Sequence, residues 1–122
     1  MSTLYERVGG EPAIMAAVGI LYEKLVADDL TRPFFDGMEL DALLKKQIAF
    51  MARALGGPAE YRGRDLRAAH KDLVATRGLT DAHFDAVASH LAATLRELEV
   101  EEALVSEVLG VIGLTRVEVL DR

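Results

Sequence analysis

A chain of 122 residues with no cysteine and a formal net charge of −6 excludes a good deal before any motif is read. Its length fits one domain, taken as residues 1–122, large enough to bury a core without staples. Disulfides and thiolate metal sites are ruled out, and the acidic balance argues against nucleic acid or an anionic membrane surface as partner.

The apolar content is 51%, mostly Ala, Leu and Val, and only 6% is aromatic. These residues, Val apart, favour helix, so an all-α chain is expected. The first residues, from Met1 to Arg7, carry no charged stretch followed by an apolar one. No window of about 18 uncharged apolar residues occurs. The expectation is a soluble, cytoplasmic monomer.

In chain order, Thr3 and Glu6 have capping-box spacing ahead of Leu4, Tyr5 and Val8, and Gly9-Gly10 ends that short helix, which reads as a lid. Pro12, taken as the first helical position, opens a longer helix with a stripe of Ile14, Ala17, Val18, Leu21, Tyr22 and Leu25. Asp28-Asp29-Leu30 closes it, and Thr31 is placed to cap a short turn through Pro33-Phe34-Phe35. A third helix is predicted over 40–55, stopped by Gly56-Gly57-Pro58. After an irregular stretch to Arg64 comes a helical segment around His70, closed by Arg77-Gly78. Thr80 and Asp81 begin a helix with the stripe Phe84, Val87, Ala88, Leu91, Leu95 and Leu98. The last helix opens at Glu101-Glu102 and shows so little polar face that it is expected to be central, paired antiparallel with its predecessor.

Two of these faces carry polar groups where apolar ones belong. Leu66, Ala69, His70, Leu73 and Val74 fall at helical spacing, which sets an imidazole in an apolar stripe; Lys46 and Gln47 stand among Leu43, Phe50 and Met51. Inward polar groups need partners. One flat, apolar object able to accept a nitrogen ligand would serve both faces. On the residues alone plainer readings stand beside it: His70 as a satisfied core histidine, and Tyr22 and Gln47 satisfying each other across a helix contact. His83 and His90 lie seven residues apart, about 10 Å of helix rise, too far to share a metal, and read as structural or exposed.

The chain resembles the group I truncated haemoglobins over nearly its whole length, cyanobacterial-type members most of all. The residues that carry the likeness are Leu4-Tyr5-Glu6-Arg7-Val8-Gly9-Gly10, Phe34-Phe35, Lys46-Gln47 with Phe50, Leu55-Gly56-Gly57, Tyr61-Arg62-Gly63, Ala69-His70-Lys71-Asp72-Leu73 and His83-Phe84-Asp85-Ala86-Val87. Each is weak alone; their order and spacing are specific. The resemblance implies a two-over-two α-helical sandwich around haem b. It makes His70 the proximal iron ligand, with Phe35 on the porphyrin face and Tyr22, Leu43, Lys46, Gln47, Phe50 and Met51 on the distal side. Leu66, Leu73, Phe84 and Val87 complete the expected cofactor contacts, and Tyr22 and Gln47 are the expected catalytic donors. Some members have an aromatic at the Phe50 position bordering an apolar path for gas, here to be lined by Val, Leu and Ala of the last two helices.

Two departures from the family pattern matter. Where some cyanobacterial members have a histidine that bonds covalently to a haem vinyl group, this chain has Val117, so the haem is expected to be non-covalent. Where some have a distal histidine, this chain has Lys46. That lysine reads as a solvated charge at the pocket mouth, paired with a haem propionate, or as a desolvated amine serving as a displaceable sixth ligand, or as ordinary surface charge. Arg64, Arg67, Lys71 and Arg77 flank the His70 segment and read either as further propionate partners or as solvated charges near a loop. The implied function is binding of dioxygen, nitric oxide and carbon monoxide, with oxidation of nitric oxide to nitrate. Turnover needs a separate reductase, since the chain has no flavin or nicotinamide motif. Set against it are a gas or redox sensor or an oxygen carrier or store without turnover, and a haem-free helical interaction module.

Overall fold

The computed structural model describes residues 3–57, 70–71, 73–75 and 77–120, and among these every regular element is helical. Helix α1, Leu4–Val8, starts where Thr3 Oγ1 accepts the Glu6 N–H at 3.2 Å. The chain turns at Gly9, and α2 runs Gly10–Ala27. Pro12 is therefore the third helical residue and not the first. Its missing N–H is still one of the donors that a helix start leaves unpaired, so the earlier start is not opposed.

A 3-10 turn, Arg32–Phe35, follows α2. Thr31 does not cap it. Its hydroxyl donates instead to Leu25 O at 2.6 Å, from a side chain only 2% exposed, because a buried hydroxyl takes the nearest unpaired carbonyl, here one at the end of α2. Helix α3 is Leu40–Ala54. Its end is a two-bond glycine cap: Gly56, at φ 89°, donates to Arg53 O at 3.1 Å and Gly57 to Ala52 O at 2.7 Å. A Cβ on Gly57 would come within 2.6 Å of the Tyr5 ring, so α1 sits directly on this cap, tied by Tyr5 N–H to Leu55 O at 2.8 Å. Helix α1 is thus docked, with Leu4, Tyr5 and Val8 packed on the core, and is more than the lid expected.

His70, Lys71, 73–75 and Arg77 are helical. Helix α4, Asp81–Glu97, and α5, Glu102–Gly113, follow; α6, Arg116–Val119, is one turn. Helix α2 packs on both α3 and α4, and α4 on α5, which sets α2 and α3 against α4 and α5 as two pairs. The central helix is α2, not α5 as the sequence pattern suggested. Ser106, Glu107, Gly110 and Gly113 give α5 an exposed face, and glycine on that side reads as apolar in a pattern although it packs nothing. Val18, Leu21, Leu91, Val105 and Val108 are almost fully enclosed between the pairs. Each stabilises the fold by about 1.5–3 kcal/mol relative to exposure.

Candidate functional site

A cavity of about 190 Å³ opens between α2, α3 and α4, or about 1140 Å³ when all space out to its mouth is counted. Helix α2 contributes Leu21, Tyr22 and Leu25; the turn after it gives Thr31, Phe34, Phe35 and Met38. Leu43, Lys46, Gln47 and Phe50 come from α3 at i, i+3, i+4 and i+7, so one face of that helix forms the wall. His70 and Leu73 face it from the segment before Gly78, then Leu79, then His83, Phe84 and Val87 from α4; Ile112, Thr115 and Val119 close the C-terminal side.

Of the predicted site residues, Tyr22, Phe35, Leu43, Lys46, Gln47, Phe50, His70, Leu73, Phe84 and Val87 all line this space. Met51 does not. It lines a second, apolar cavity of about 160 Å³ with Val8, Ile14, Ala17, Leu91, Leu95 and Val108, because one residue further along a helix is turned by about 100° from Phe50. Of the last two long helices this second cavity takes only Leu91, Leu95 and Val108; its alanines, Ala13, Ala16 and Ala17, come from α2. Leu66, Arg64 and Arg67 lie outside the described residues.

Several of these side chains are held by contacts that the sequence did not announce. The Tyr22 ring lies 5.5 Å from that of Phe35, tilted by 54°. Arg77 Nη1 donates to Pro33 O at 3.1 Å, since the 3-10 turn leaves carbonyls that a guanidinium can satisfy. Lys71 and Lys46 are exposed, the latter at the cavity's edge.

His83 is the site residue that sequence reasoning assigned elsewhere. It lines the cavity, its ring edge-on to Phe34 at 4.8 Å. The Thr80 N–H donates to its Nδ1 at 3.0 Å, so a neutral ring carries its proton on Nε2. The signal available was Thr80-x-x-His83, capping-box spacing with imidazole in place of the usual carboxylate or amide.

Two charged groupings brace the elements around the cavity. His90 Nε2 is 2.7 Å from Asp28 Oδ2, joining α4 to the end of α2. This hydrogen bond, with a second from the Leu30 N–H, holds the Asp28 carboxyl below the usual carboxylate range against an opposing desolvation. Arg116 of α6 reaches Asp81 Oδ1 at 2.8 Å and Asp85 Oδ1 at 2.6 Å, and its guanidinium carbon lies 4.4 Å from the Phe84 ring centre. Asp85 first and then Asp81 raise its pKa further above the ordinary guanidinium value.

Among the described residues no cluster of three or more His, Cys, Asp or Glu is placed to hold a metal ion. A flat, largely apolar macrocycle taking one nitrogen donor from the chain fits this lining of aromatic and aliphatic side chains with an imidazole among them.

A sequence profile of the bacterial-like globin family matches residues 3–121. The group 1 truncated haemoglobin GlbN of a Synechocystis strain is 46% identical over 113 residues, which cover 93% of this chain and 91% of that one. The chain belongs to the group 1 truncated haemoglobins. Another of that group, from Tetrahymena pyriformis, is 41% identical over 98% of this chain and 96% of its own length. Among solved structures, the 2/2 haemoglobin of Synechococcus sp. PCC 7002, in the cyanomet state with covalently attached haem, superposes with a TM-score of 0.93 at 42% identity, covering 99% of this chain and all of that one. The fold of this truncated haemoglobin is therefore the all-α two-over-two sandwich, and membership implies binding of haem and of gaseous ligands. No helix among its described residues is long and apolar enough to cross a membrane.

Proposed function

We propose that this truncated haemoglobin binds haem b non-covalently in the larger cavity, with His70 as proximal ligand, and takes up dioxygen, nitric oxide and carbon monoxide. The observation that carries the reading is the meeting of His70, Tyr22 and Gln47 with Phe35, Phe50 and Phe84 around one space. His70 would donate a neutral imidazole nitrogen to iron. Leu73, Phe84, Val87 and Phe35 would hold the macrocycle by apolar contact and exclude water. A valine at position 117 offers no nucleophile for a bond to a vinyl group, which supports a haem held by packing and ligation alone.

When bound, haem supplies a ferrous iron that can take a diatomic gas and can pass one electron in the conversion of nitric oxide and dioxygen to nitrate. The chain's own part is polar. The Tyr22 hydroxyl and the Gln47 amide would donate hydrogen bonds in a largely apolar space, favouring a ligand atom that carries negative charge. Each nitrate formed leaves one electron to be restored, so turnover calls for a reductase supplied by another protein. The exposure of Lys46 favours its role as a charge at the mouth, opposite a propionate, over that of an iron ligand.

The test begins with hemin. Purified protein should take up one equivalent with a Soret band, and His70→Ala should lose or displace that band; a native chain that stays colourless overturns the proposal. A low-spin ferric spectrum abolished by Lys46→Ala would move Lys46 to the iron. Stopped-flow mixing of the oxygenated protein with nitric oxide should give ferric protein and nitrate rapidly. Slow conversion would leave carriage, storage or sensing.

A further inference from the structure

We propose that Arg116 is a positioning residue that latches the C-terminal turn over the haem cavity and thereby sets how long the cofactor is retained; this rests on the haem reading above. Helix α6 is four residues long, too short to persist by itself. Thr115 and Val119, at its two ends, both line the cavity. Whether that wall stays closed depends on what ties α6 to the rest of the chain.

Beside the packing of Val119 and Leu120 on the core, the polar tie is one guanidinium used three ways. It bridges Asp81 and Asp85, which stand four apart on the first turns of α4 and would otherwise repel each other. It also lies over the ring of Phe84, 4.4 Å from its centre. Phe84 is itself a cavity residue, 7% exposed. The latch and the wall therefore share a side chain, Phe84, which lines the cavity and carries the Arg116 guanidinium over its ring. A planar, two-pronged donor is needed to reach both carboxylates while stacking on a ring, which lysine cannot reproduce.

The Arg116 side chain is 34% exposed, and those of Asp81 and Asp85 are 48% and 64% exposed. Such a latch is open to screening by salt, unlike the packing of the core. This gives it a signature that a merely structural residue lacks.

The experiment follows transfer of hemin from the loaded full-length protein to an excess of a haem-scavenging apoglobin, at about 0.05 M and about 1 M sodium chloride. Arg116→Gln should release hemin about fivefold or more faster at low salt. Salt should speed release from the native protein toward the variant's rate while leaving the variant nearly unchanged. Arg116→Lys should fall between them, and far-ultraviolet circular dichroism of each variant should match the native helix content. Equal release rates at both salt concentrations, or a rate difference that salt does not narrow, overturn the latch while leaving the haem reading intact. A native chain that takes up no hemin overturns both, and is seen before any variant is compared.

Discussion

At the scale of single residues, the proposed chemistry turns on two side chains that can donate a hydrogen bond, Tyr22 and Gln47. Tyr22 and Gln47 come from different helices and line the same space, so each should slow the loss of dioxygen on its own account. Tyr22→Phe and Gln47→Leu should each raise the dissociation rate by about five- to a hundredfold, the equivalent of 1–3 kcal/mol per hydrogen bond, read by flash photolysis or by stopped-flow displacement with carbon monoxide. If the double variant is no faster than the worse single one, the two act as a unit. This part of the site was legible because polar residues in an apolar stripe have to be accounted for. Two neighbouring judgements went differently for reasons of geometry. Met51 shares the stripe of Phe50 in a loose reading, but the helix turns it into the other cavity. His83 sits at a helix start, where an imidazole that takes a backbone N–H looks like a cap and gives no hint that its ring also lines the larger cavity.

Between elements, the joints are charged and half-exposed, and their strength depends on protonation. Asp28 and His90 tie α2 to α4. The folded carboxyl titrates below its ordinary value of about 3.9. Its contribution is therefore fully present above that value and is lost as pH falls through the lower, folded one. Asp28→Asn should lower the thermal midpoint at pH 5–7, and the gap from the native chain should close as the pH drops below about 4. A gap that persists in acid would show that the carboxylate charge is not what stabilises the joint. The helices themselves were readable from capping residues and apolar spacing, with ends displaced by a residue or two. The close of α4 was not. Glu99 takes φ 62° in a cap completed by Val100 N–H to Leu95 O at 3.0 Å, a position where glycine is the usual signal. The centrality given to α5 failed because a face of serine and glycine counts as weakly polar in a pattern but stands open to solvent in the fold.

For the molecule as a whole, family likeness supplied what periodicity could not: helical stripes argue for an all-α chain, but only the ordered set of motifs from Leu4 to Val87 implied how the pairs cross and what lies between them. Among the described residues, α2 and α3 border both of the cavities described above. The smaller one is walled by apolar side chains, which hold water poorly. A dry hollow is volume that unfolding would remove, so compression favours the unfolded chain even where warmth does not. Ala17, buried on α2 against that hollow, is the place to fill it. Ala17→Val should move the midpoint of unfolding to higher hydrostatic pressure, followed by tyrosine fluorescence in a pressure cell, while changing the thermal midpoint far less. A protein whose family handles small gases would then also be one whose endurance at depth is set by a few methyl groups.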